Sequence, residues 1–412
     1  MQARLFSASV FTTFVLTICT ASLAGQSPAT EQILHSFTGG LDGVDPASGL
    51  TIDKSGNLYG STFFGGSANA GTVFKISPNN GGWTETVLYS FKGGTTDGAN
   101  PDGNLLVGPK GQVIGTTVSG GPSGYGVLFA LIPSGTSYVE KLVHVFPKFT
   151  TPTSGVIADR LGNLYGESGG GALGFGAVYE MKRTTAGYKY VLLYSFAAGA
   201  DGADPFGGVI LDGAGNLYGT TASGGSTCVC GNVFELKKGT NGTYTETILY
   251  QFTGSSDGVN PESALTMDSS GNLFGTTVYG GDTSCASPYG CGEVFELQNT
   301  GGSWTKTTLH AFTDSPDGHG PIAGVTFDAH GNLFGTTING GITGTGTLYE
   351  LAPNTGGWNE SVVYSFSNGT DGGFVQTPVT FDPNGNLYGT AGFGGTTGDG
   401  VVFEFAGLGA RR

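Results

Sequence analysis

Six aspartates recur in Asp-Gly steps, at Asp42, Asp97, Asp201, Asp257, Asp317 and Asp371. Carboxylates copied around one rim could hold divalent cations such as calcium. Asp-Gly is also ordinary turn chemistry, with the carboxylate accepting nearby backbone N–H groups, and that reading ranks first. Around the third copy of the pattern the regularity breaks. Pro147-Lys148-Phe149-Thr150-Thr151-Pro152 replaces the Asp-Gly loop, and Glu167-Ser168 stands where other copies have Thr-Thr. An asymmetric carboxylate and ammonium suit an enzyme acting on polysaccharide, a hydrolase or a lyase, better than groups copied in every repeat. Phe149, Tyr125, Phe175, Tyr279 and Tyr289 lie in neighbouring loops and offer rings for stacking on a sugar or gripping a protein. Drift of a repeat copy explains the same deviations and is the leading account.

Other reactive residue types resolve into scaffold. Asp53, Asp159, Asp212, Asp268, Asp328 and Asp382 open Asp-x-x-Gly-Asn steps and are expected to shape hairpins. Glu180, Glu235, Glu296, Glu350 and Glu404 repeat at one strand position, a poor match to the asymmetric pair that glycoside cleavage needs. His35, His144 and His310 replace a recurring Tyr, while His319 and His330 stand alone in loops. Neither a Gly-x-Ser-x-Gly elbow nor a phosphate loop is present. No catalytic residue is assigned. Cys228, Cys230, Cys285 and Cys291 are expected to form local disulfides. The Cys285–Cys291 bridge is the easier one, because joining Cys228 to Cys230 closes a tight ring. A metal site is the alternative, with spacings uncommon for zinc.

These residues sit on a sevenfold frame. Gly-Asn-Leu-(Tyr/Phe)-Gly begins at Gly56, Gly162, Gly215, Gly271, Gly331 and Gly385, with a decayed copy at Gly111. The offsets are 55, 51, 53, 56, 60 and 54 residues, in the range of β-propeller blades. Each copy holds four short runs rich in β-branched and aromatic residues, bounded by Gly, Asn, Asp and Ser. The expectation is an all-β, seven-bladed propeller of four antiparallel strands per blade. The last copy stops after its third strand, 401–405, and Ile33-Leu34-His35-Ser36-Phe37 resembles the end of a fourth. Strand 31–37 should therefore complete the last blade and remove two exposed edges. The predicted blades are 50–91, 104–146, 155–196, 208–252, 264–312, 324–366 and 378–405 with 31–37, in one domain spanning 31–406. A short tail, 407–412, follows.

Residues 1–24 read as a cleaved secretory signal, with Arg4, an apolar stretch from Leu5 to Ile18 and small residues near Ala24. No other run is long enough to span a bilayer. A net charge of −15 with 16 Lys plus Arg argues against nucleic acid. The 78 glycines cluster at the ends of apolar runs, as turns require, rather than at every third position. A secreted, extracellular or periplasmic protein is expected, without a cofactor unless calcium binds, and as a monomer.

The full unit, Gly-Asn-Leu-Tyr-Gly-Thr-Thr, Gly-Gly, Val-Phe-Glu-Leu, Leu-Tyr-Ser-Phe and Asp-Gly, resembles the bacterial GloVer tandem-repeat proteins. Gly65-Gly66 with Gly71-Thr72-Val73-Phe74-Lys75-Ile76, and Gly340-Gly341 with Gly346-Thr347-Leu348-Tyr349-Glu350-Leu351, carry the match. The resemblance covers nearly the whole mature chain and implies export and repeat architecture. It departs from the choice-of-anchor members, which carry a separate C-terminal sorting segment, and it transfers no catalytic residue. The function expected first is a binding or scaffold module for a glycan or protein. An extracellular polysaccharide-active enzyme and a calcium-stabilised cell-surface structural protein are the alternatives.

Overall fold

The computed structural model describes residues 30–410. The signal-peptide reading of 1–24 and the last two residues of the tail lie outside them. Seven four-stranded antiparallel sheets form, each in the order innermost to outermost along the chain. The last sheet is the exception in sequence and the closure in space. Its strands Thr380–Phe381, Leu387–Ala391 and Val401–Phe405 are completed by Glu31–Ser36 from the other end of the chain. Glu31 pairs with Phe405 and Ser36 with Val401 in that register.

The innermost strand has two residues in six blades, as at Thr51–Ile52. In blade 2 it runs over Gly98–Val107, so that blade begins before the expected residue 104. The second strand is wholly buried in six blades, as in Leu217–Thr221, and partly so over Val113–Gly120 of blade 2. Its central glycine is required by packing, since a Cβ at Gly219 would lie 2.6 Å from the Phe234 ring. Third and fourth strands pair with a register shift one residue in, as between Val233 and Phe234. Such a bulge re-aims the outer strand.

The apolar core lies between blades. One cluster joins Tyr59, Val73 and Phe91 of blade 1 to Leu105, Val127 and Phe129 of blade 2, and the other seams repeat it. At every seam the Phe that follows an outer strand packs on an aromatic ring of the next third strand, as Phe91 on Phe129 at 5.0 Å and Phe312 on Tyr349 at 5.0 Å. Threonines of the second strand add a bond across the seam. Thr220 Oγ1 donates to the Ser263 carbonyl at 3.1 Å, and Thr390 Oγ1 to that of Ser48 at 3.1 Å.

The sequence-predicted turns take the expected form. Asp212 Oδ1 accepts the N–H groups of Ala214 and Asn216 at 2.8 Å, and Oδ2 accepts the Asn216 side chain. Both disulfides are local, Cys228–Cys230 and Cys285–Cys291, with Cα separations of 5.3 and 5.6 Å. Among the described residues no helix is long and apolar enough to cross a membrane.

Candidate functional site on the loop face

In each blade the loop between second and third strands and the connection to the next blade emerge on one face. Backbone bridges tie the two together, as Val259 with Tyr279 and Val44 with Phe64. Fifteen large apolar side chains are prominently exposed among the described residues, and eleven stand on this face. They include Phe64, Phe149, Phe175, Phe206, Tyr289 and Phe393.

The aspartates of the Asp-Gly steps serve these connections as caps. Asp371 accepts the Ser367 N–H at 2.8 Å, the Ser367 hydroxyl at 2.6 Å and the Tyr364 hydroxyl at 3.2 Å. Asp42 is held by Thr38, Asp97 by the Lys92 N–H, Asp201 by Ala197, Asp257 by Thr253 and Asp317 by Thr313. Burial alone would raise the Asp42 carboxyl, but the Thr38 hydrogen bonds outweigh it and hold it below the usual carboxylate range. One such carboxylate serves each of six turns. Among the described residues no three His, Cys, Asp or Glu side chains gather in a group that could hold a metal ion.

Lys148 and Glu167 do not form one site. Lys148 lies in the exposed loop, its Nζ 4.8 Å from the centre of the Phe149 ring, which in turn meets Tyr125 edge-on at 5.3 Å. Glu167 is fully buried at the seam of blades 3 and 4, where Oε2 accepts the Gly208 N–H at 2.7 Å and Oε1 has no hydrogen-bond partner. It occupies the position of the seam threonines and has turned a donated bond into an accepted one. Burial pushes its carboxyl up to about 8, against which the Gly208 hydrogen bond works.

A folded-state value above the unfolded one means that this group's contribution is complete below about 4.5 and is lost as pH rises through about 8. Glu167→Gln keeps the acceptor for Gly208 and removes the ionisation. It should match the parent in thermal midpoint at pH 4 and exceed it above pH 8; identical midpoints at pH 9 would contradict the assignment.

Tyr279 and Tyr289, ten residues apart, are brought to a ring separation of 6.3 Å at a tilt of 54°. With Pro288, Val259, Asn260 and Ser255 they line a groove of about 410 Å³. The Cys285–Cys291 bridge closes the loop that carries Tyr289, and the Gly280 N–H donates to the Tyr289 carbonyl at 2.8 Å. Phe175 is half-exposed, and its carbonyl accepts the Asp204 N–H at 3.0 Å.

The segments that lead into the innermost strands of all seven blades line a central channel of about 510 Å³. At its mouth the residues after the recurring Pro step are Ala47, Asp102, Thr153, Phe206, Glu262 and Ile322, with Gln376 in the copy that lacks the Pro. No two copies agree. Here an otherwise regular ring is asymmetric, and the lining carries carboxyls but no basic side chain. A recess of about 310 Å³ beside it joins Asp45 and Asp102 to Phe63, Phe64 and Gln376. Burial, then the Asp102 charge, pushes the Asp45 carboxyl up; burial pushes up Asp102. Burial and then Asp204 act likewise on Glu262. Sequence reading missed Asp45, Asp102, Asp204, Glu262 and Gln376. For Asp102, Glu262 and Gln376 the available signal was the position after the recurring proline, different in every copy, while Asp45 and Asp204 stand directly before that proline.

No curated protein matches the chain. A Mycobacterium tuberculosis puromycin-hydrolyzing peptidase matches at TM-score 0.57 and 11% identity, over 94% of this chain and 55% of its own. A Lactobacillus plantarum protein matches at TM-score 0.52 and 18% identity, over 81% and 88%. A gluconolactonase from Xanthomonas campestris gives TM-score 0.42 and 12% identity, over 74% and 92%. At these identities the first two show a likeness of fold alone. The profile described as the Gloeobacter/Verrucomicrobia repeat matches residues 17–227, 147–285 and 282–411. Those spans take in every blade and the closing strand, and with the sevenfold phrase they place the chain in the Gloeobacter/Verrucomicrobia repeat family.

Proposed function

We propose that the protein is a glycan-binding module that takes its ligand on the loop face. The observation that carries this reading is the crowding of exposed apolar side chains there, eleven of fifteen, seven of them aromatic rings, around a channel mouth lined by carboxyl and amide groups. Sugar rings offer apolar C–H faces that stack on Tyr and Phe, and hydroxyls that donate to Asp, Glu and Gln. The Tyr279–Tyr289 groove is the primary subsite, fixed by its disulfide before ligand arrives, which lowers the ordering cost of binding. The two disulfides accord with an extracellular or periplasmic setting.

A second reading is favoured by Asp45 and Asp102. Two carboxyls in one recess, with at least one inclined to keep its proton, are the parts of an acid–base hydrolase. The test is a panel of neutral, acidic and amino-sugar oligosaccharides, followed by calorimetry and by product analysis. Tyr279→Ala with Tyr289→Ala is expected to weaken binding by about 10-fold or more, as loss of stacking rings does. Binding without products supports the module; products lost in Asp102→Asn support the hydrolase. A panel with neither binding nor cleavage overturns both.

A further inference from the structure

The two disulfides differ in what opening them requires. Cys285 and Cys291 are six positions apart and both buried, in a seam cluster with Val294 and Phe312. Cys228 and Cys230 are two positions apart, in the loop between the second and third strands of blade 4. Cys228 is partly exposed there, and Val229 between the two is 72% exposed. A thiol arriving from solvent therefore reaches Cys228 Sγ but neither sulfur of the other bridge.

The reduced form is also favoured at this bridge. Closing so small a ring removes little chain entropy from the unfolded state, so the bond adds less to folding than one across a longer loop. Once it opens, the Cys228 thiol has an acceptor in place, because its Sγ lies 3.4 Å from the Phe252 carbonyl oxygen. A disulfide whose reduced form is stabilised is the more oxidising one.

The same bridge lies under one wall of the Tyr279–Tyr289 groove. The Cys230 carbonyl accepts the Asn260 N–H at 3.0 Å. A Cβ at Gly254 would meet Cys230 Sγ at 3.0 Å and Cys228 Sγ at 3.7 Å, so the sulfurs pack on the backbone that leads into Ser255. Val259 shares an apolar cluster with both cysteines. Ser255, Val259 and Asn260 are the groove residues on this side.

We propose that Cys228–Cys230 is a reversible thiol-exchange site, open to a low-molecular-weight thiol such as glutathione, whose redox state sets this wall of the groove. A thiolate attacks Cys228 Sγ and forms a mixed disulfide; the Cys228–Cys230 bond breaks, and its electron pair goes to Cys230 Sγ, which takes a proton. A second thiolate then attacks the small thiol's sulfur in that mixed disulfide, and Cys228 leaves and is protonated. Two external thiols become one disulfide, and the protein gains two electrons and two protons. With the bridge open, the Cys230 carbonyl that holds Asn260 loses its anchor, and the 254–260 segment is freed. The exchange is a property of the loop and holds whether or not the groove takes a glycan.

The test is a titration of the whole chain in mixtures of reduced and oxidised glutathione, with free thiols alkylated and located by peptide mass, beside hydrogen exchange. Half-reduction of Cys228–Cys230 should need a ratio of squared reduced to oxidised glutathione on the order of 100-fold lower than Cys285–Cys291 needs. In that partly reduced form the Asn260 amide should exchange about 10-fold faster, and reoxidation should reverse the change. Cys230→Ser removes the resolving thiol and should retain glutathione on Cys228, whereas Cys228→Ser should retain little because Cys230 is buried. Two bridges that titrate together, earlier opening of Cys285–Cys291, Asn260 exchange indifferent to reduction, or a Cys230→Ser variant that retains no glutathione would each overturn the proposal.

Discussion

Deleting residues 31–37 is expected to cost the ring its closure and to lower the thermal midpoint by on the order of 10 °C or more, since the fully buried Phe37 and the partly buried Ile33 and Leu34 are lost together. Phe37 is fully buried and packs on Phe74 of blade 1 at 5.1 Å, so the segment joins the last blade to the first as well as completing a sheet. Its removal also uncovers Val401–Phe405, a wholly buried strand of four apolar residues and one glutamate. An edge of that kind invites pairing with another chain. The truncated protein should therefore associate with itself, and a synthetic peptide of residues 30–38 added in excess should restore both the parent's elution position on gel filtration and the midpoint. A truncated chain that elutes with the parent and keeps its midpoint would show that the strand is dispensable.

Lys306→Met should destabilise the protein by about 3–5 kcal/mol, the range for removing one partner of a buried ion pair. The Lys306 ammonium is nearly buried between Asp257 and Glu293, and it also bonds the Asp257 carbonyl at 2.9 Å. Glu293 is fully buried, and Thr308 donates to its Oε2 at 2.8 Å. Burial raises the Glu293 carboxyl even beside Lys306, and without that cation the rise is greater. The variant should thus recover stability at pH 5 relative to pH 8, where the stranded carboxyl ionises. Replacing Glu293 as well, by the Thr found at Thr72 and Thr347, should return most of the loss because no unpaired charge remains. Urea unfolding of the single and double variants at the two pH values checks this. Equal losses in both would mean that Lys306 acts through packing alone.

Blade number, strand count and ring closure were legible because each rests on local rules copied seven times. The phrase starting at Gly56 and its relatives fixes the hairpin, and the missing fourth strand after Phe405 is supplied by the only unassigned match, Ile33 to Phe37. The capping role of Asp42 and its equivalents was legible for the same reason, since the bonds to Thr38 span four residues. The loop-face site was legible in part. Rings such as Tyr279 and Tyr289 could be placed in loops, but their meeting at 6.3 Å depends on how the disulfide folds the intervening chain.

Glu167 and Lys148 were paired as deviations from a pattern, yet one is buried at a seam and the other exposed. A departure from the repeat marks a changed environment without naming it. The Lys306–Asp257 ion pair was beyond reach altogether, because the two lie 49 positions apart and meet only across two blades. Sequence alone determined what short-range chemistry controls: turns, strands, blade count and the family phrase. Tertiary structure decided which side chains share a low-dielectric seam or a solvent-facing groove, since those distances are set by the packing of separate blades.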